Sequence, residues 1–401
     1  MESSSSHNTG TANLIFNLLE GNNLHTPGQD YYNLKNPDYK TLTAIRGYPI
    51  ICFFRTSEEE PFEYIGRYNL NMDKSSEDVF GFLPDPAEEP ATPAEIAFGW
   101  EAVANTLTNK TEGFANTIHC YEFLNNASNL CNFLSSGNDF ETDFYALDSD
   151  NIPAWFSSFE SRYPEGEAKN GSDVDIKSWF ELCKWVNSTA TTEATNNTLD
   201  EPITYAGITY TEDTVDYRLA KFKNEFEEHF DLNFAAFYYV LTNILLMIDS
   251  RAKNMMIATW DNQIWYPIFY DMDTMLGLNN YGYNKFDYNV EDTDANVYNG
   301  QNSVLWNNFR VCFLSKIKEM YNQLESTGLN YNGLLNNYNT IQADAWNEIL
   351  YNEDAEYKYI RPYAEGYVNG IDGKADWVAA GTKNYLYAAQ GSRSMHRKYW
   401  L

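Results

Sequence analysis

Basic residues are scarce in this chain: 27 lysines and arginines stand against 57 acids in 401 residues, a formal net charge of −30. Such a field opposes phosphate-backbone binding and anionic membranes, which both require clustered Lys and Arg. Nucleic acid is therefore excluded as a partner, and a nucleotide site needs local cations or a divalent ion. Cysteine is also sparse. Cys52, Cys120, Cys131, Cys183 and Cys312 are odd in number and form no CxxC pair, which argues against a disulfide framework or zinc site and for buried thiols. No apolar run approaches the roughly 18 residues of a membrane span. The longest, "FAAFYYVLTNILLMI", is interrupted by Thr242 and Asn243, so no membrane insertion is expected. The start, "MESSSSHNTGTANL", has neither the basic end nor the long apolar stretch of a secretory signal.

What the chain does have is aromatic bulk. Hydrophobic residues make up 43 % and aromatics 16 %, with 31 Tyr, 24 Phe and 10 Trp, enough for a large core and contrary to disorder. The length allows two domains, or one with insertions. "PIICFFR" (49–55) and "FEYIGRYNLN" (62–71) read as strands around the polar turn 56–61, with Gly66 marking a bulge or close approach. "LPDPAEEPATPAE" (83–95) is too rich in Pro and acid for helix or central strand. From about 96 to 185 the pattern turns helical, as in "CYEFLNNASNLCNFL" and "IKSWFELCKWVN", and "STATTEATNNTLDEP" (188–202) reads as a loop. An amphipathic helix is expected over 215–230. A second helix, 233–248, is capped by Asp231 and apolar on most of its circumference, hence buried. The remainder from 303 is mostly helical.

Between 254 and 269, the apolar runs "NMMIATW" and "QIWYPIF" flank Asp261-Asn262, a strong two-residue hairpin signal. Pairing Trp260 with Gln263 sets Asn254 opposite Phe269, with Asp271 roughly 7 Å further along. Asp249 sits in the connection between the buried helix and the first strand. Asp249, Asn254, Asp271 and Asp273 are thus expected to converge at the hairpin's open end, where buried acids are costly unless a cation holds them. Carboxylates and an amide oxygen are hard ligands, suited to Mg²⁺ or Mn²⁺. Within one ion's reach, Asn254 and Asp271 oxygens lie about 4–6 Å apart. The order Asp, four residues, Asn, hairpin, Asp is also that of the protein-kinase catalytic loop and metal motif. The opposing reading of these residues is a capped helix followed by a solvated acidic loop.

The stretch "DSRAKNMMIATWDNQIWYPIFYDMDTMLG" resembles the signature of the CotH family of spore-coat, kinase-like proteins. Asp271, Asp273 and Gly277 are in register with its P-W-D-x-D-x-x-x-G segment, and the Pro-Trp pair is missing. "EYIGRYNL" (63–70) is similar to its upstream strand, and "SVLWNNFRVCFLSKIKEMYNQL" (303–324) to the helical segment after its metal motif. The resemblance implies an α+β, atypical protein-kinase-like fold with an incomplete small β lobe (1–82), a polar insertion (83–214), a mainly helical catalytic lobe (215–330) and a helical extension (331–401). It implies use of ATP with Mg²⁺ or Mn²⁺ to phosphorylate protein hydroxyls. Asp249 is then the catalytic acceptor of the hydroxyl proton, and Asn254 and Asp271, with Asp273, the metal ligands. Arg251 is placed to neutralise the transferring phosphoryl group. The chain has no G-x-G-x-x-G and no lysine on an early strand. Arg46, Arg67 and Lys74 are the available phosphate-binding cations, with an ordinary surface charge the alternative for each. A stretch like "SSSSHNTGTANL" follows the first small-lobe strands in the family, so Met1 is expected to be an internal start or the chain a fragment.

Two functions remain open on the sequence. One is the kinase. The other is a catalytically degenerate relative serving as a structural component of a virion or coat, a compositional association of acidic, Tyr- and Asn-rich chains. The partner is accordingly a protein substrate or an assembly partner, and the location cytoplasmic or virion-associated.

Overall fold

The computed structural model describes residues 7–25, 43–72, 119–123, 140–146, 159–163, 177–247, 250–251, 255–272, 275 and 303–345. Within them the chain is α+β with small antiparallel sheets. Helix α1 (His7–Gly21) precedes the hairpin of β1 (Gly47–Phe54) and β2 (Glu63–Asn71), whose strands and turn agree with the sequence pattern. Cys52 pairs with Gly66 and Phe53 with Tyr64, leaving Ile65 as an extra residue. That is the bulge expected at Gly66, since a bulge sets two residues of one strand against one of its partner.

The stretch 96–185 is only partly helical. It supplies β3 (His119–Phe123), the short α2 (Phe140–Phe144), β4 (Phe159–Tyr163) and then α3 (Lys177–Ser188). The helical reading of 120–123 is thus corrected to strand. A five-residue strand is too short to display a period, so its pairing with β4 and with the strand Met255–Thr259 decides its state. A second correction falls at 198–202, inside the expected loop. β5 (Thr198–Tyr205) and β6 (Ile208–Glu212) form a hairpin through Ala206-Gly207, both at positive φ (48° and 82°). These strands are largely exposed, with Ile203, Tyr205 and Tyr210 half-buried between exposed neighbours, and the polar run 198–202 shows no such alternation.

Capping starts the next two helices. Thr214 accepts the Tyr217 N–H at 3.1 Å to open α4 (Val215–Glu225), and Asp231 accepts the Phe234 N–H at 2.6 Å to open α5 (Leu232–Ile244). Every residue of α5 from Phe234 to Thr242 is buried, in keeping with its all-round apolar sequence. β7 (Met255–Thr259) and β8 (Trp265–Phe269) follow as the expected hairpin, and the larger sheet runs β4-β3-β7-β8. The stretch read as an insertion is therefore built into the same sheet as the hairpin. Helices α6 (Val304–Cys312), α7 (Leu314–Thr327) and α8 (Tyr331–Ala345) complete the chain's described part.

Aromatic packing holds the layers together. Trp179 of α3 meets Phe159 of β4 edge-on at 4.9 Å and Trp265 of β8 at 5.5 Å. Phe226 gathers Phe222, Phe230, Phe309 and Phe313 within 5.3 Å, fastening α4 to α6. Such pairs add about 0.5–1.5 kcal/mol each beyond their burial. Helix α1 packs on α7 and α8, joining the two ends of the described chain. No helix among the described residues is long and apolar enough to cross a membrane.

Candidate functional site

The hairpin's register differs by one residue from the expected one. Met255 faces Phe269 and Thr259 faces Trp265, so the connection is 260–264 rather than two residues. Asp261 determines this turn. Its Oδ1 accepts the Gln263 and Ile264 N–H groups, each at 2.8 Å, and the Thr259 hydroxyl at 3.0 Å. An Asx turn of this kind substitutes for backbone pairing. Both strands are mostly buried on both faces, so the apolar pattern could not distinguish the two registers.

At the open end, Tyr238 of α5 joins two segments. Its ring lies 4.3 Å from that of Phe269, and its hydroxyl donates to the Ser250 carbonyl. Burial pushes the Tyr238 pKa up, so the hydroxyl stays a donor. Trp306 of α6 stacks on the same ring at 5.5 Å. The chain just after α5 and the end of β8 are thereby held against one side chain.

Two residues past β8, Asp271 is half-buried and takes a left-handed backbone, φ 45°. Asp accepts this conformation better than most residues, at a cost of roughly 1–2 kcal/mol. Asn8 of α1 meets it there: Asn8 Nδ2 donates to Asp271 Oδ1 at 3.2 Å, and Asn8 Oδ1 accepts the Met272 N–H at 2.6 Å. Sequence reasoning missed Asn8, which lies 263 residues from its partner in a stretch with no local pattern pointing there.

Arg251 corrects an expectation. Its side chain is 1 % exposed, and the guanidinium turns onto α5. Nε donates to Thr242 Oγ1 at 3.0 Å, and one NH₂ donates to the Tyr239 carbonyl at 3.2 Å and to Asn243 Oδ1 at 3.3 Å. The guanidinium also lies 4.2 Å from the Tyr239 ring centroid. Burying a charge requires such partners, and they aim it into the protein instead of toward a substrate phosphoryl group.

Asp249, Asn254, Asp273 and Lys74 lie outside the described residues. Arg67 is in β2 opposite Ile51, with its side chain likewise outside them. Arg46 is half-buried, its guanidinium 4.6 Å from the Phe16 ring centroid. Among the described residues no three His, Cys, Asp or Glu side chains group closely enough to hold a metal ion. Asp271 alone of the expected ligands is placed, and its carboxylate has the oxygen chemistry that Mg²⁺ requires.

A separate cleft of about 450 Å³ opens at the other end of the hairpin, against Asn262, Gln263, Lys177, Glu181 and His229. Burial lowers the His229 pKa to about 4, leaving the ring neutral, and it packs 4.2 Å from Trp185. No protein-family model matches this chain, and neither a curated protein nor a solved structure does.

Proposed function

We propose that this chain is a kinase-like phosphotransferase that uses ATP with Mg²⁺ or Mn²⁺ to phosphorylate protein hydroxyls, in an atypical protein-kinase-like fold. The observation that carries the reading is the junction at Tyr238. It holds Ser250, the neighbour of Asp249, against Phe269, whose strand partner Met255 is the neighbour of Asn254. Asp271 follows two residues later. One peptide spans about 3.8 Å between Cα atoms, and Asp271 lies at the same end of the hairpin as Ser250 and Met255, the chain neighbours of Asp249 and Asn254.

In this reading Asp249 accepts the proton of the acceptor hydroxyl and orients it, a task of position more than of raised pKa. Asn254 and Asp271, with Asp273, hold the metal. A divalent ion held there would supply charge neutralisation for the transferring phosphoryl group. Arg251 is a positioning residue: by bonding the last turns of α5 it sets the chain that carries Asp249. Arg46, Arg67 and Lys74 remain the cations offered to the nucleotide.

Asp249→Asn and Asp271→Ala separate this reading from a solvated acidic loop. Labelled-ATP transfer should vanish in Asp249→Asn while calorimetric nucleotide binding stays within about twofold, because Asp249 orients the acceptor and not the phosphates. Asp271→Ala should weaken Mg-ATP binding itself by about tenfold or more. Wild type and both variants behaving alike would leave the loop.

A second reading, an assembly component without turnover, is favoured by the β1–β2 hairpin. Phe53, Phe54, Phe62 and Leu70 are each more than half exposed there, at 57 %, 54 %, 61 % and 62 %. Large apolar side chains gathered on one hairpin are characteristic of protein contacts. The same transfer assay separates the two.

A further inference from the structure

We propose that Asn8 is a positioning residue for the metal-holding carboxylate, and that α1 is the element that shapes the Asp271 turn. The inference rests on the reading of Asp271 as a metal ligand. Its structural half, the clamp, stands on the bonds alone.

Both ends of the Asn8 amide are used. The oxygen accepts the Met272 N–H at 2.6 Å and the nitrogen donates to Asp271 Oδ1 at 3.2 Å. The chemistry determines the amide's orientation, since a flipped amide would set NH₂ against the Met272 N–H and oxygen against carboxylate. Asp271 is held at φ 45° between these two contacts. A non-glycine residue persists there when its surroundings over-determine it. The donor is also neutral. An arginine or lysine in this place would orient the carboxylate and cancel its charge, whereas the Asn8 amide N–H orients it without adding a charge of its own.

Helix α1 is itself fixed. Thr11, one turn after Asn8 and on the same face, donates to Met275 Sδ at 2.6 Å and shares a 2.8 Å bond with the Tyr338 hydroxyl. Asn337 donates to the Gly10 carbonyl at 2.8 Å and accepts from Asn13 at 2.9 Å. The helix therefore grips the chain at 271–272 and again at 275, with α8 as its backing. Outer partners of this kind decide how well a first ligand is aimed.

The test uses the full chain, Mn²⁺ as probe, and two variants on one helix. Asn8→Ala removes both contacts to the aspartate turn. Asn13→Ala removes a bond to α8 and none to that turn. Amide exchange at Met272 reads the clamp without metal, and the paramagnetic resonance signal of free Mn²⁺ reads affinity. Asn8→Ala should lose Met272 protection and bind Mn²⁺ about ten- to a hundredfold more weakly, as outer-partner losses do. Asn13→Ala should keep both while losing a comparable amount of melting temperature. Asn8→Gln, which moves the amide by one methylene, should repeat the Asn8→Ala result and serves if that variant is unfolded. Unchanged Met272 protection in Asn8→Ala overturns the clamp. Lost protection with unchanged Mn²⁺ affinity overturns the positioning role and leaves the metal reading standing. A wild type that keeps Met272 protected and takes up no Mn²⁺ overturns Asp271 as a ligand.

Discussion

At the scale of single residues, Arg251 lies elsewhere than its place in the chain suggested. Its place two positions after Asp249 suggested a group facing substrate. The structure aims it at Thr242, Tyr239 and Asn243, where α5 ends in a left-handed Leu246 at φ 47°. One of these acceptors is a carbonyl and two are side chains, so the guanidinium ties the chain at 251 to the second half of α5. Arg251→Ala should therefore cost roughly 2–4 kcal/mol in urea unfolding, since it strands buried acceptors that were bonded to a charge. Arg251→Lys should recover less than half of that, because one ammonium cannot reproduce the planar fork. A loss below about 0.5 kcal/mol in Arg251→Ala would show that the bonds contribute little.

Between elements, what was legible depended on whether a segment carries its own instructions. Helix α5 did, through the Asp231 cap and an unbroken apolar surface, and it lies within a few residues of its expected bounds. The β7–β8 hairpin did in kind, through Asp261-Asn262 between apolar runs, though not in register, since burial on both faces removes the alternation that would set it. Strand β3 did not, because its state is imposed by β4 and β7. The β5–β6 hairpin carried only a short signal, Ile203-Thr204-Tyr205 and Ile208-Thr209-Tyr210 about Ala206-Gly207, a two-residue loop with both φ positive. That geometry prefers Asn-Gly, and alanine at φ 48° is strained. Ala206→Asn should then raise the denaturation midpoint, worth about 0.5–1 kcal/mol. Gly207→Ala should lower it by roughly 1–2 kcal/mol even though nothing lies within 4 Å of the added Cβ, because the cost is in the backbone. Equal small effects from both would mean that the turn relaxes out of this form.

For the molecule as a whole, the candidate site depends on a long-range closure that no window of sequence contains. Helix α1 lies against α7 and α8, and its Asn8 end reaches the aspartate turn, so the two ends of the described chain meet beside Asp271. Gly10 makes this approach possible: a Cβ there would sit 2.5 Å from the Tyr338 ring, which is 2 % exposed and bonded to Thr11. Two effects oppose each other in Gly10→Ala. Helix propensity favours alanine by about 0.5–1 kcal/mol, while overpacking a closed interface costs about 1–3 kcal/mol. The ring is buried and hydrogen-bonded, so the second effect should win and Gly10→Ala should destabilise. Tyr338→Ala removes the obstacle at the cost of a cavity. In that background Gly10→Ala should change sign and stabilise, an interaction that a double-mutant cycle in urea isolates. Destabilisation by Gly10→Ala of the same size in both backgrounds would mean that α1 does not close on α8 through this contact. Asn8 would then need another support to hold Asp271.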